Sequence, residues 1–499
     1  MRNSSGRGFR PDGAGTFVTA VRAAAGSVPA CSPVATTAVL VGAAGFAAPA
    51  ALLYCTLPLM GIALAYRRLG RLDVNAGAVY SWVGRTLHPF LGFLCGWALV
   101  VSTTLFMVAG ALPAGMLTLA LFDPALARET WPVTAAGACW LGVMVLVALG
   151  GARLSVRART VVSCVELVLL LLFVLGAVAR NGAAAAFDWS WLGFGGFCGA
   201  PGVASCALIA AFSCRGWYVA GVRGGDARGG NARDGRCAAR LTAVVGVGVV
   251  FLLFEAFTLA VNVVLATEGT TAESGAGTLA LLCEALWPGV GGKLLVVAVM
   301  LSTVVTLETM LAQVARTLFT MGRDGTVPAA FGLVHRRRNT PWVAVAAVGG
   351  AALALSAASN AFGSVGGVVS GVVGAMGLQI AFSHALAGIA AVVAYRRVLL
   401  SSARELLLGG VWPLAGTAFM SWVFYESLAE LPTAALAVGL GGLAAGLIPM
   451  FWYWRRGSSY YRPAKLDAVR ELAVKKDTPY GDVPRQYRPA ADETLATDF

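Results

Sequence analysis

Residues 211–221 read AFSCRGWYVAG and lie in a run that is otherwise apolar from about Ala204 to Val222. An arginine in hydrocarbon is costly, so the chain must hide it, let it reach water or use it. A second interrupted run, AAAGSVPACSPVATT at 23–37, places Gly26, Pro29 and Pro33 at membrane depth. Each proline removes a backbone donor, and glycine tolerates unwound geometry. Non-helical backbone survives at this depth only where it is buried in protein or lines a wet cavity. Two such breaks, matched in position five spans apart, point to a secondary transporter built from two inverted five-helix repeats. The freed amides and half-helix N-termini then suit an anionic group, and the freed carbonyls suit a cation. The plainer alternative is that both segments are merely kinked.

The rest of the chain supplies the membrane setting. Of its 499 residues, 58% are hydrophobic and only 12% charged, against about 25% charged in a soluble protein. Apolar runs of about 20 residues recur, long enough to cross a hydrocarbon core of ~30 Å as helices. The short alternating segments of an outer-membrane barrel are absent, so the predicted class is an all-α polytopic membrane protein. Hydropathy and helix breakers predict twelve spans, at 16–43, 48–66, 89–121, 131–150, 156–178, 200–222, 241–265, 293–319, 342–359, 364–395, 407–425 and 432–454. The long third and tenth are each read as one tilted helix or as a helix plus a re-entrant part. The implied organisation is a short N-terminal segment (1–15), repeat one (16–178), repeat two (200–395), two added helices (407–454) and a flexible tail (455–499).

Charge tests that count. With the N-terminus inside, the inner segments carry Arg67, Arg68, Arg71 and Arg85, then Arg153, Arg157 and Arg159, then the arginines of 223–240, 316–338 and 396–404, and finally the basic tail. The outer loops hold Arg128, Arg180 and Lys293 against Asp123, Glu129, Asp188, Glu268, Glu273, Glu284, Glu426 and Glu430. This is the positive-inside pattern of a plasma-membrane protein with both termini cytoplasmic. It explains the net charge of +13 by orientation and removes the need for a nucleic-acid partner. The ten cysteines lie mostly inside apolar runs with no CxxC pair, so neither a disulfide framework nor a zinc site is expected. His88, His335 and His384 have no ligand spacing, no nucleotide-binding loop is found, and no cofactor is expected beyond H+ or Na+ as a coupling ion.

The stretch AYRRLGRLDVNAGAVYSWVGRTLHPFLGFLCGWAL (65–99) resembles the segment after the second helix in the amino acid–polyamine–organocation (APC) permeases. LETMLAQVARTLFTMGRDGTVPAAFGLVHRRRNTPW (307–342) is similar to the eighth-helix pattern of that family, and YRRVLLSSARELLLGGVWPLAG (395–416) to the loop and eleventh helix of its actinobacterial-type amino acid permeases. The resemblance implies the five-plus-five inverted-repeat fold with two appended helices, and uptake or exchange of amino acids or related amines by a monomer or homodimer in the bilayer. It also implies a substrate site. Ala25, Gly26, Ser27, Val28 and Pro29 match the family's first-helix break, whose amides and Ser27 hydroxyl would meet a substrate carboxylate. Phe212, Gly216 and Trp217 match the sixth-helix break, and Ser213 beside Phe212 is taken with them as a substrate-binding candidate. Arg215 departs from the family, where a small or acidic residue is usual, and so does Tyr218, where an acid often follows.

Those departures bear on chemistry. Facing the cavity, Arg215 adds a fixed positive charge and a fork of donors shaped for a carboxylate, favouring an anionic substrate. The other reading is snorkelling, because Arg223 is eight residues further on, ~12 Å along a helix. Among the intramembrane acids, Glu308 is the coupling candidate the family implies, with Glu166 a second and the hydroxyls of Ser302 and Thr303 as contributors to an ion site. Glu255 and His384 read as structural. Arg85, Asp226, Arg316, Arg323 and Asp324 read as gating charges that close the inner vestibule. An enzyme is not expected, since no nucleophile–base or metal constellation is visible. The alternative to a transporter is a non-transporting sensor on the same fold.

Overall fold

The computed structural model describes residues 37, 40–42, 44–72, 77–123, 125–150, 156–181, 187–197, 199–213, 251–267, 289–335, 340–362, 365–396 and 398–461. Among them the secondary structure is helical, with no strand. The principal helices are α1 (Ala48–Leu72), α2 (Val79–Thr86), α3 (Pro89–Phe122), α4 (Thr130–Leu149), α5 (Val156–Asn181), α6 (Gly199–Ser213), α7 (Phe251–Thr267), α8 (Val290–Arg323), α9 (Trp342–Ala358), α10 (Val365–Tyr395), α11 (Ala403–Glu430) and α12 (Thr433–Arg455). α2 is a short helix in the hairpin between α1 and α3, not a span. Six of the described helices are both long and apolar enough to cross a membrane: the one at Gly45–Gly70, α3, α4, α10, α11 and α12.

The two long runs left open by hydropathy resolve the same way. α3 is one continuous helix of 34 residues and α10 one of 31, with no re-entrant part. At 1.5 Å per residue α3 measures about 51 Å, so it tilts or projects beyond a ~30 Å core. It begins where His88 caps it through Nδ1, accepting from the Phe90 amide at 3.4 Å, and where Pro89 takes the first turn, which needs no donor. α8, at 34 residues, runs past both ends of the expected 293–319.

α3 and α10 pack on each other and form the axis of the bundle. α4, α8 and α2 lie against α3, and α11, α1, α12 and α6 lie against α10. Between apolar helices in lipid the hydrophobic effect contributes little, and close packing of small residues decides the contacts. The α3–α4 crossing shows how. A Cβ built on Gly137 would fall 2.6 Å from the Ala111 carbonyl oxygen, and one on Gly115 would strike the backbone of Val133 and Gly137. The largest buried cluster joins α1, α2, α3, α8, α10 and α11 through Leu59, Trp82, Phe93, Leu311, Met376 and Met420. A second, including Leu40, Leu52, Leu117, Phe173, Phe257 and Val261, fills the end remote from the α2 hairpin. Conversely, Val161, Val165, Val168, Leu172 and Leu175 of α5 are exposed at helical spacing. That stripe suits lipid, not water.

The expected tail boundary at 455 is too early. Arg455 closes α12, and Ser459–Tyr461 form a 3-10 turn folded back on the bundle at the α2 end. The signal was missed because this turn has no apolar period of its own; it is held by contacts with residues more than a hundred positions away.

Candidate functional site

Much of the expected substrate site lies outside the described residues: Ala25, Gly26, Ser27, Val28, Pro29, Arg215, Gly216 and Trp217; so does Asp226 of the expected gating charges. Phe212 and Ser213 end α6, Glu166 lies on α5 and Ser302 on α8, and for these four only the backbone is described.

α8 carries the expected coupling residue. Glu308 is 4% exposed, in mid-helix, on a helix that also buries Thr303, Thr306 and Thr309. A carboxylate so far from water needs a proton, a cation or hydrogen-bond donors. Helix geometry does not unite it with the expected hydroxyls, however. At 100° per residue, Thr303 lies about 140° around the helix from Glu308, on a different face. The next residue, Leu307, fills the space over Gly110 of α3, where a Cβ would meet its Cδ2 at 2.7 Å. This locks α8 against the axial helix.

A second polar seam runs along α7. Thr258 and Thr37 share a hydrogen bond of 3.3 Å, and Asn262 Nδ2 donates to the Phe46 carbonyl at 2.9 Å. Glu255, Thr258 and Asn262 are spaced i, i+3 and i+7, which places them on one helix face. Both carboxyl oxygens of Glu255 are buried without a hydrogen-bond partner among the described residues. The sequence reading of Glu255 as a structural group therefore receives no structural contact here. His384, by contrast, is tied to α1: its Nδ1 lies 3.1 Å from the Tyr66 hydroxyl.

A denser polar and aromatic cluster lies at the α2 end of the bundle. The Tyr80 hydroxyl donates to Asp324 Oδ2 at 3.1 Å and lies 3.3 Å from Thr326 Oγ1. Asp324 caps α8, and Gly325 follows it at φ +68. That left-handed residue turns the chain so that Asp324 and Thr326 both reach Tyr80. From the far end of the chain, Tyr460 stacks on Tyr80 with ring centroids 4.9 Å apart and planes within 9°. Its hydroxyl donates to the Tyr80 carbonyl at 3.4 Å, and Ser458 Oγ donates to the Asp324 carbonyl at 3.3 Å. Burial, then the neighbouring Tyr460 and Asp324, push the Tyr80 phenol well above its ordinary range. Burial and Asp324 do the same to Tyr460, offset in part by Arg85. Both therefore stay neutral donors at ordinary pH.

Of the expected gating charges, Asp324 belongs to this cluster, and Arg85 acts electrostatically on its Tyr460. Arg316 is half-buried further along α8, and Arg323 is exposed, its guanidinium 5.7 Å from the Phe319 ring centroid. Tyr80, Thr326, Ser458 and Tyr460 were not foreseen. The GAVYSWV stretch held a signal for Tyr80, but none pointed to a partner 380 residues away.

Beside this cluster, Arg68 joins three helices. Its Nη2 pairs with Glu405 Oε2 at 2.6 Å, its carbonyl accepts from the Tyr395 hydroxyl at 3.0 Å, and its guanidinium lies 5.1 Å from the Tyr395 ring centroid. The room comes from α11, which widens into a π-turn at Leu407–Val411. A Cβ on Gly409 there would strike the guanidinium.

With this geometry in place, comparison with known proteins is informative. A family model described as amino acid permease matches residues 16–429. The uncharacterized amino acid permease YecA of Bacillus subtilis (strain 168) is 24% identical over 299 residues, which cover 58% of this chain and 64% of that relative. The similarity thus spans just under two thirds of the relative's length.

Proposed function

Because the chain belongs to the amino acid permease family, we propose that it is a secondary transporter of amino acids or related small organic solutes. It works by alternating access across the plasma membrane, with proton coupling or exchange as the driving mode. In this reading its twelve spans form two inverted repeats plus two helices, and both termini are cytoplasmic. The substrate carboxylate meets the amides of Gly26–Pro29 and the Ser27 hydroxyl, Arg215 faces the cavity, and Glu308 carries the coupling proton. The bundle rocks around that midplane site.

The observation that carries the reading is the closure of the α2 end. There Tyr80, Asp324 and Tyr460 bond across elements that are otherwise joined by apolar packing. A polar and aromatic seal has alternative partners in water and can open at modest cost, whereas an interdigitated apolar core resists reopening. This supports a vestibule that closes and reopens during transport.

The test is reconstitution of the purified protein into liposomes and uptake of a pool of labelled amino acids, with and without a proton gradient. Saturable uptake favouring aspartate or glutamate supports the whole reading, with Arg215 as a substrate residue. Uptake of neutral amino acids keeps the transporter and makes Arg215 a snorkelling group. No saturable uptake of any amino acid, with or without a gradient, overturns it.

A further inference from the structure

We propose that the segment following the last helix, Ser458–Tyr461, is a latch that holds the α2 end of the bundle shut, with Tyr460 as its principal gating residue. Its consequence for solute flux rests on the transporter reading; its existence as a latch does not.

The contacts define a built device. Gly457, at φ +77, reverses the chain as α12 ends and sends it back across the bundle. Ser458 then holds the carbonyl of Asp324, the cap of α8. Tyr460 covers the face of Tyr80, the residue whose hydroxyl holds the Asp324 carboxylate. Tyr461 stacks on Phe90 at the start of α3 with ring centroids 5.0 Å apart, and Phe90 in turn meets Trp454 edge-on at 5.7 Å. Three residues, Ser458, Tyr460 and Tyr461, thus fasten the hairpin, α8 and α3 together.

The receptor for the latch is shaped by absence of side chains. Gly84 of α2 and Gly92 of α3 approach so closely that a Cβ on either would strike Tyr460 Oη or the opposing backbone. The phenol therefore lies in a slot that only paired glycines leave open. Tyr460 and Tyr461 also pack against the apolar cluster that Trp82, Val83 and Phe93 help to form, so the segment is seated on the core as well as in the slot.

The attachment is strong enough to hold and weak enough to release. It consists of one stacked ring pair, a second stack and two hydroxyl-to-carbonyl hydrogen bonds of 3.3 and 3.4 Å. No covalent or ionic fastening of Ser458–Tyr461 is found among the described residues. Parting of α8 from the α2 hairpin would separate Asp324 from Tyr80 and split the two surfaces on which the segment rests. Opening at this end therefore requires that Ser458–Tyr461 lift off, and closing is assisted when they return.

Thiol accessibility tests this without any transported substrate. Ser81 is 2% exposed and adjoins Tyr80 behind the seal, so Ser81→Cys reports opening to a membrane-impermeant maleimide. The reagent is applied from the α2 side in a background lacking the other cysteines. Tyr460→Ala should raise the labelling rate about five- to tenfold, the loss expected for one aromatic pair. Tyr460→Phe, which keeps the stack, should stay within about twofold. Unfolding temperature in detergent separates opening from misfolding, and Gly84→Ala, which displaces the phenol without touching Tyr460, should label like Tyr460→Ala. Equal labelling of all folded variants overturns the latch. If wild-type liposomes move no amino acid, the transporter reading fails while the labelling still decides the latch.

Discussion

At the scale of single residues, burial and hydrogen bonding separate groups that look alike in sequence. Glu308 and Glu255 are both intramembrane acids. Glu308 is 4% exposed on the helix that Asp324 caps, whereas Glu255 lies on an α7 face that touches Thr37 and Phe46. If Glu308 carries the proton, Glu308→Gln abolishes accumulation driven by a pH gradient and leaves counterflow exchange within a few-fold of wild type. Persistent gradient-driven accumulation in the variant would exclude that role. The gate tyrosines give a pH prediction with a definite sign. Their phenols titrate higher in the fold than the ordinary value of 10.0. Their contribution to stability is thus complete below about pH 10 and is lost as pH climbs through the folded values. Unfolding temperature measured in detergent from pH 8 to 11 should fall above about pH 10, and Tyr80→Phe with Tyr460→Phe should flatten that fall. An identical alkaline loss in the double variant would assign it to other groups. Glu308 was legible as a candidate because a lone acid in an apolar run is conspicuous. Tyr460 was not, because a tyrosine in a polar tail is ordinary until its partner is known.

At the scale of elements, the helices were readable and their joints were not. Hydropathy marked α3, α4, α9, α10 and α12 to within a residue or two, because lipid rewards a continuous apolar run with every backbone group bonded internally. It left open whether α3 and α10 were interrupted, since Pro113 in α3 and the glycines of α10 are compatible with either outcome. The π-turn of α11 was beyond reach as well. It exists because the Arg68 guanidinium, arriving from α1, occupies the space over Gly409. Gly409→Val should accordingly cost more than removing the ion pair itself. The pair is partly exposed on the Glu405 side (40%), so Glu405→Ala should lower stability by only about 1 kcal/mol or less. Overpacking at Gly409 should cost about 1–3 kcal/mol and displace Arg68 from Tyr395. Thermal unfolding of both variants in one detergent checks the order; a larger loss in Glu405→Ala would reverse the assignment.

At the scale of the whole molecule, the proposed function divides between the middle of the membrane and one end. The breaks at 25–29 and 214–217 fall outside the described residues, so the mid-membrane prediction is a kinetic one. Arg215→Ala should raise the KM for an acidic amino acid by at least tenfold, as loss of a charge-assisted bidentate contact implies, with expression unchanged. Unaltered uptake kinetics in reconstituted liposomes would remove Arg215 from the site. By itself the sequence determined the helical membrane class, the approximate limits of the helices and the amino acid permease family. It did so because those properties reside in local hydropathy, in charge placed beside each span and in short motifs such as 307–342, all of which are contiguous in the chain. Tertiary structure alone decided what is joined at the α2 end. Tyr80 contributes there from the hairpin, Asp324 from the end of α8 and Tyr460 from beyond α12. A seal made of side chains hundreds of residues apart has no period, spacing or composition to betray it. It comes into being only when packing fixes the distances between its parts, and hydrogen bonds and stacked rings act over no more than a few ångströms.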